Sequence, residues 1–244
     1  MPLEHQRSED VVEYTVQPIG LIHSCYSEKF GIPRQPGLVK SARGAIELLP
    51  PCNREEMFKG LETFSHIWLQ FLFHESMADG WRPTVRPPWL GGQERVGLFA
   101  SRSPHRPNFL GLSVVRHLGM RKEGGKLFVD IGELDLLHGT PIVDIKPYVP
   151  YSDRVEDAAQ GFVRFSEKKI SVRFSAEADA SCRRYQEVTG RDLKTLIHEV
   201  LEQDPRPASQ RKQEREYGML LWKVNVRWLA DESGFKVLSL EEKE

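Results

Sequence analysis

Alternation of apolar and polar positions is the strongest local pattern in this chain. Between Phe64 and Phe73, Ile67, Leu69, Phe71 and Phe73 share one face, with His66, Trp68, Gln70 and Leu72 on the other. A period of two predicts a strand. Both faces are largely apolar, which predicts a central strand covered on both sides, with His66 as a satisfied core histidine. Thr15–His23 and Ala45–Leu49 read as earlier strands; Leu112–Leu118, Lys126–Leu134 and Pro141–Tyr148 read as later ones. Asn53, with Glu56 three residues on, predicts a capped short helix. Asp144, on an otherwise apolar strand, is expected to be a polar anchor inside the sheet. Many strands, few helices and no βαβ spacing predict a mainly β fold, a small antiparallel β-barrel rather than a doubly wound sheet.

The pattern changes after Tyr151–Gly161, an acidic linker. Lys169–Phe174 reads as a strand. Ser175 is an N-cap for a helix to Thr189, with Gly190 at its end. Asp192–Glu202 predicts a second helix, stopped by Asp204-Pro205-Arg206-Pro207. Met219–Leu229 and Phe235–Leu240 read as strands. The expected division is residues 1–160 as the barrel and 161–244 as a small α+β C-terminal domain.

Three stretches fit neither period. Gly31–Gly37 (GIPRQPG) and Gly97–Ser113 (GLFASRSPHRPNFLGLS) are rich in proline, glycine and planar donors. Proline fixes φ and lacks a donor, so these are ordered loops suited to a phosphate, a carboxylate or a nucleobase edge. Asp79–Gly92 interleaves Trp81, Arg82, Arg86 and Trp89 with three prolines and cannot be a regular element. It suits base stacking, a hydrophobic cover or a second subunit.

Composition narrows the partners. The 244 residues carry a formal net charge of −1, so no global positive field points to nucleic acid, and any RNA site must come from local clustering. Arg211, Lys212 and Arg215 form one such cluster. Cys25, Cys52 and Cys182 make no C-x-x-C pair, which favours a reducing compartment and argues against structural zinc. The stretch MPLEHQRSED has no secretory core and no run approaches the roughly 20 apolar residues of a membrane span, so a cytoplasmic location is expected. Neither G-x-G-x-x-G nor a P-loop pattern is present. The histidines at 66, 74, 105, 117 and 138 lack metal-ligand spacing, and no metal is expected.

FASRSPHRPNFLGLS closely resembles the signature of the TsaA-like family, also called YaeB or TrmO. It departs at Ser101 (usually Thr) and at Phe109-Leu110 (usually Pro-Ile). Pro33-Arg34-Gln35, His74-Glu75, Asp135-Leu136-Leu137-His138-Gly139-Thr140-Pro141, Asp144–Tyr148 and Asp204-Pro205-Arg206-Pro207 also match family segments. His138 replaces a usual acid, and Ser209 a usual Tyr. The resemblance implies a small β-barrel that binds S-adenosylmethionine, forms homodimers with the site close to the neighbouring chain, and methylates the 6-amino nitrogen of threonylcarbamoyladenosine beside the tRNA anticodon, in threonine-type tRNA. Carried over residue by residue, it implies donor contacts at Pro33, Arg34, Gln35, His74, Glu75, Arg102, Leu112, Asp135, Leu137, His138, Gly139 and Thr140. Arg106, Asn108, Asp204, Arg206 and Arg211 would handle the RNA.

Chemically, a sulfonium methyl is already electrophilic, so alignment supplies much of the rate. The adenine amine is delocalised and weakly nucleophilic, so some acceptor must take its proton. Asp135, His105 and His74 are the candidates, with Arg102 or Arg106 receiving a carboxylate. A non-catalytic nucleotide- or RNA-binding regulator would use the same loops without transfer.

Overall fold

The computed structural model describes residues 13–163, 170–207, 210–211 and 213–243, apart from the Trp89 side chain. Its first strands are β1 (Gly20–Ser24), β2 (Arg43–Leu48), β3 (His66–Leu72), β4 (Thr84–Val85) and β5 (Val96–Gly97). β6 (Leu110–Glu123), β7 (Lys126–Gly132) and β8 (Pro141–Pro147) follow. After a short helix α1 (Pro150–Asp153) come β9 (Val172–Phe174), α2 (Ala176–Thr189) and α3 (Leu193–Glu202). β10 (Arg215–Leu221), β11 (Val224–Asp231) and β12 (Gly234–Glu242) end the chain.

The strands β1, β2, β7, β6, β3 and β8 form, in that order, one antiparallel sheet that closes on itself. The closing seam is short, pairing Gly20 with Ile142 and Leu21 with Pro141. Inside lie Ile22, Ile46, Ile67, Leu69, Val115, Val129, Ile131 and Ile142, all without exposure. This is the expected outcome of period-two patterning on a sheet with one buried face.

The second sheet runs β10-β11-β12-β9, with β9 parallel to β12. α2 and α3 cover it. Ser175 caps α2 by accepting from the Ala178 amide at 3.0 Å, and Gly190 ends it with φ +71°. Asp192 caps α3 through the Thr195 amide at 3.0 Å. Trp228 fills the centre, stacked on Tyr217 at 4.6 Å with Phe235 at the same distance on a tilt.

The two halves share one core. Tyr26 forms bridges to both Leu137 and Leu221, and the Trp222 amide donates to the Cys25 carbonyl at 2.7 Å. Glu199 accepts from the amide and the hydroxyl of Ser41, each at 2.7 Å. The cysteines are free thiols. No helix among the described residues is long and apolar enough to cross a membrane.

Several expectations change. β1 starts at Gly20, because 13–18 are exposed and Pro18 has no amide to pair. Asn53 caps nothing: a 3-10 turn at Glu55–Phe58 starts from an extended Arg54, and Gly60 at φ +95° reverses the chain. Residues 219–229 form a hairpin rather than one strand, since Trp222 adopts φ +53° between β10 and β11. The 79–92 stretch does contain a regular element, the short strand β4, which pairs with β5 beyond it. The outer face of β3 is only partly covered, so His66 is not a core histidine. The Asp144 side chain is 45% exposed and faces out beside a register shift, so it is not an anchor inside the sheet. Lys169, Ser209 and Lys212 lie outside the described residues.

Candidate active site

β6 is longer than its neighbours, and the site begins there. It pairs with β3 through Leu110–Arg116 but meets β7 only from Arg116 onward. One edge of its first half therefore has no partner strand. Unpaired peptide groups at a strand edge are ready hydrogen-bonding sites. Five segments converge on this edge: the 31–37 loop, a 3-10 turn at His74–Ser76, Ser101–Arg106, β6 itself, and the 135–140 turn. Together they line a cleft of about 990 Å³. Gly111 must be glycine here. A Cβ would meet the Phe71 ring at 2.3 Å, well inside contact distance.

Asp135 sits where this edge meets the turn. Its Oδ1 accepts from the Ser113 hydroxyl at 2.7 Å. Burial pushes its carboxyl up from 3.8 to about 6, opposed by the Ser113 hydrogen bond and by the Arg102 guanidinium. Arg102 is exposed, and its Nη1 donates to Gln35 Oε1, joining the two proline-rich loops. Arg106 Nη1 donates to the Ser101 carbonyl at 2.9 Å and packs near Phe99. Lys29 lies 3.4 Å from Glu75 across the cleft mouth.

The cleft brings together Pro33, Arg34, Gln35, His74, Glu75, Arg102, Arg106, Leu112, Asp135, Leu137 and Thr140. His105, Asn108, His138 and Gly139 are outside its lining. His105 Nδ1 is 3.3 Å from the Gly80 carbonyl, and Asn108 is exposed. His138 packs edge-on to His23 at 5.4 Å, accepting from the Ser24 amide at 3.4 Å. Burial and the neighbouring His23 hold its pKa below the usual histidine value. Gly139 makes the turn at φ +80°.

Asp204, Arg206 and Arg211 stand behind the 31–37 loop. Arg206 is 8% exposed, its Nε and Nη2 on the two Asp204 oxygens at 2.8 and 3.2 Å, its guanidinium over Phe235. Arg211 reaches the second Asp204 oxygen at 3.3 Å. A crevice of about 40 Å³ separates Asp204-Pro205 from Gly31–Arg34. Burial, and then the nearby Arg211 charge, lower the Arg34 pKa, while Asp204 opposes them.

Sequence reasoning passed over Glu133, which organises the site from below. It is buried at φ +60°, its carboxylate held by Lys40 at 2.6 Å and Arg116 at 2.8 Å. Burial would raise its pKa, but the two cations outweigh that and hold it low. Its carbonyl accepts from the Gly37 amide at 2.8 Å, tying the 31–37 loop to the strand that leads into Asp135. A glutamate at a strand end has no local signature for that role. Among the described residues, no group of three or more His, Cys, Asp or Glu is placed to hold a metal ion.

Comparison with known proteins identifies the family. Residues 21–154 match the tRNA-methyltransferase O N-terminal domain, and residues 167–243 match the TrmO C-terminal domain. An Escherichia coli K12 protein named tRNA (adenine(37)-N6)-methyltransferase is 43% identical, over 93% of this chain and 98% of its own. A Pseudomonas aeruginosa protein, named as a candidate S-adenosylmethionine-dependent methyltransferase, is 47% identical over 88% of this chain and 92% of its own. The crystal structure of TrmO from Pseudomonas aeruginosa superimposes with a TM-score of 0.79 at 40% identity, covering 94% of this chain and 99% of that one. With both halves matched in sequence and the fold matched as a whole, the chain belongs to the tRNA-methyltransferase O family.

Proposed function

We propose that this chain transfers a methyl group from S-adenosylmethionine to the N6 nitrogen of adenine 37 in tRNA, the activity its Escherichia coli relative is named for. The acceptor in this reading is threonylcarbamoyladenosine in a threonine-type anticodon loop. One observation carries it: a buried carboxylate with its pKa raised to about 6, beside an open strand edge, in a cleft of about 990 Å³.

The residues present fit the donor. The free β6 edge offers peptide groups to a nucleobase edge, and Ile32, Phe73, Leu112 and Leu137 supply apolar walls. Arg34 and Arg102 suit the amino-acid carboxylate, and Glu75 suits the ammonium. Pro33, Gln35, His74 and Thr140 line the same pocket, with Gly139 and His138 shaping the turn beneath. When bound, the donor supplies an electrophilic sulfonium methyl.

The chain's own work is alignment and proton transfer. The attacking nitrogen loses its proton as the new N–C bond forms and the C–S bond breaks. Asp135 is the acceptor for that proton: its pKa of about 6 leaves it ionised yet basic at neutral pH. Ser113 fixes the carboxylate orientation. Arg102 stands across from it, and Arg106 suits the threonyl carboxylate of the acceptor. His105 supports the loop through the Gly80 carbonyl.

Arg211 and Asn108 are exposed and suit phosphate contacts, whereas Arg206 holds Asp204 and the wall behind Arg34. In this reading residues 1–160 hold the donor and residues 161–244 assist tRNA binding. A homodimer places the 79–92 loop, with Trp81 at 44% exposure, near the neighbouring site. The setting is cytoplasmic. The test is methyl transfer from labelled donor to tRNA purified from cells lacking the enzyme, with light scattering for the dimer. Donor binding without methylated tRNA would leave a non-catalytic regulator instead.

A further inference from the structure

The cleft extends past the loops to a wall for which the donor has no use. His66, Trp68 and Tyr148 line it there, together with Val114 and Asp153. Trp68 and Tyr148 have ring centroids 5.8 Å apart at 49°, and His66 lies 6.4 Å from Tyr148. Trp68 is four residues from Leu72 along β3, about 13 Å at a strand's rise per residue. The polar loops cluster at the Leu72–His74 end, so the aromatic wall occupies the other end.

This wall is fixed before any ligand arrives. The Trp68 indole N–H donates to Asp153 Oδ2 at 3.0 Å, and the Val149 amide donates to that oxygen at 2.7 Å. The Tyr148 amide donates to the His66 carbonyl at 3.0 Å. Asp153 is the charged side chain on this wall, and two N–H groups occupy it. An apolar, pre-set aromatic surface suits the flat face of a base, not the charged amino-acid part of the donor. The cleft volume of about 990 Å³ is at the upper end of the range that holds a single drug-sized ligand.

We infer that Trp68 and Tyr148, braced by Asp153, form the stacking shelf that receives the acceptor purine of the tRNA, in the same cleft as the donor compartment and Asp135. The inference rests on the methyltransferase reading above and adds the acceptor subsite to it. It also explains why β3 keeps Trp68 on a face that its strand neighbours leave only partly covered.

The test uses the full chain, S-adenosylhomocysteine as the donor-site probe in calorimetry, and tRNA from cells lacking the enzyme as acceptor. Loss of a base stack is expected to raise the KM for tRNA roughly tenfold or more in Trp68→Ala. The S-adenosylhomocysteine affinity should stay within twofold. Trp68→Phe, which keeps a stacking ring, should recover most of the loss and guards against misfolding of the alanine variant. A tRNA KM within twofold of the wild type in Trp68→Ala would overturn the inference, whether or not the molecular mass also shifts. So would a parallel fall in donor-site affinity, which would give the shelf to the donor. A wild-type protein that binds S-adenosylhomocysteine but methylates no tRNA would instead defeat the parent reading.

Discussion

Asp135 concentrates the account at the scale of one residue. Its carboxyl has an ordinary value of 3.8 when unfolded and about 6 in the folded chain. The folded form is therefore the better proton binder, and stability is lost as pH rises from about 4 to about 6. At about 1.4 kcal/mol for each pH unit between the two values, the ionised group costs the fold on the order of 3 kcal/mol at neutral pH. Asp135→Asn keeps an acceptor for Ser113 and removes that charge. It is expected to raise the melting temperature above pH 7 while methyl transfer falls at least a hundredfold. In the wild type, kcat/KM should rise through about pH 6 and then level. The sequence marked Asp135 as a candidate beside His105 and His74 without ranking them. The ranking came from Ser113, twenty-two positions away, and from burial. His138 shows the same limit: its position in the turn was legible, but its direction toward His23 was set by the sheet.

At the scale of elements, the strands were legible wherever one face is buried and the other polar. β3 follows its alternation closely, β7 and β8 fall within the ranges expected for them, and α2 and α3 follow their caps. The β10–β11 hairpin was hidden because no Gly, Asn or Pro marks its turn. Arg191 over the Trp222 ring at 3.9 Å, and the Trp222 amide on Cys25, hold that reversal from outside the segment. The open edge of β6 was equally invisible, since it depends on where β7 stops. Gly111→Ala tests that edge. Its methyl collides with Phe71, and a loss of roughly 1–3 kcal/mol in urea unfolding is expected from overpacking. Arg206→Ala tests the wall behind Arg34. Removing one partner of a buried pair costs about 3 kcal/mol, whereas Arg211→Ala, at an exposed position, should cost under about 1 kcal/mol and weaken tRNA binding.

Across the whole molecule, one continuous core runs from Ile22 in the first strand to Val237 in the last. Gly31 faces Met219 and Val200, and Tyr26 faces Leu221. Residues 1–160 expressed alone would expose Tyr26, Cys25 and Val39 to water. That fragment is expected to show no cooperative thermal transition, although pattern and composition alone suggested two separable parts. The net charge of −1 gave no sign of RNA, and in the proposed reading the arginines that meet tRNA are few. Affinity for tRNA should accordingly show a shallow dependence on salt. Methyl transfer at this cleft is the proposed activity. The direct measurement is mass spectrometry of nucleosides from tRNA of a deletion strain, incubated with the purified chain and isotope-labelled S-adenosylmethionine. The account predicts a labelled methyl group on N6 of the modified adenosine at position 37 with the wild type, and none with Asp135→Asn. Unlabelled tRNA after incubation with a wild-type chain that binds the donor, or equal labelling by both proteins, would contradict it.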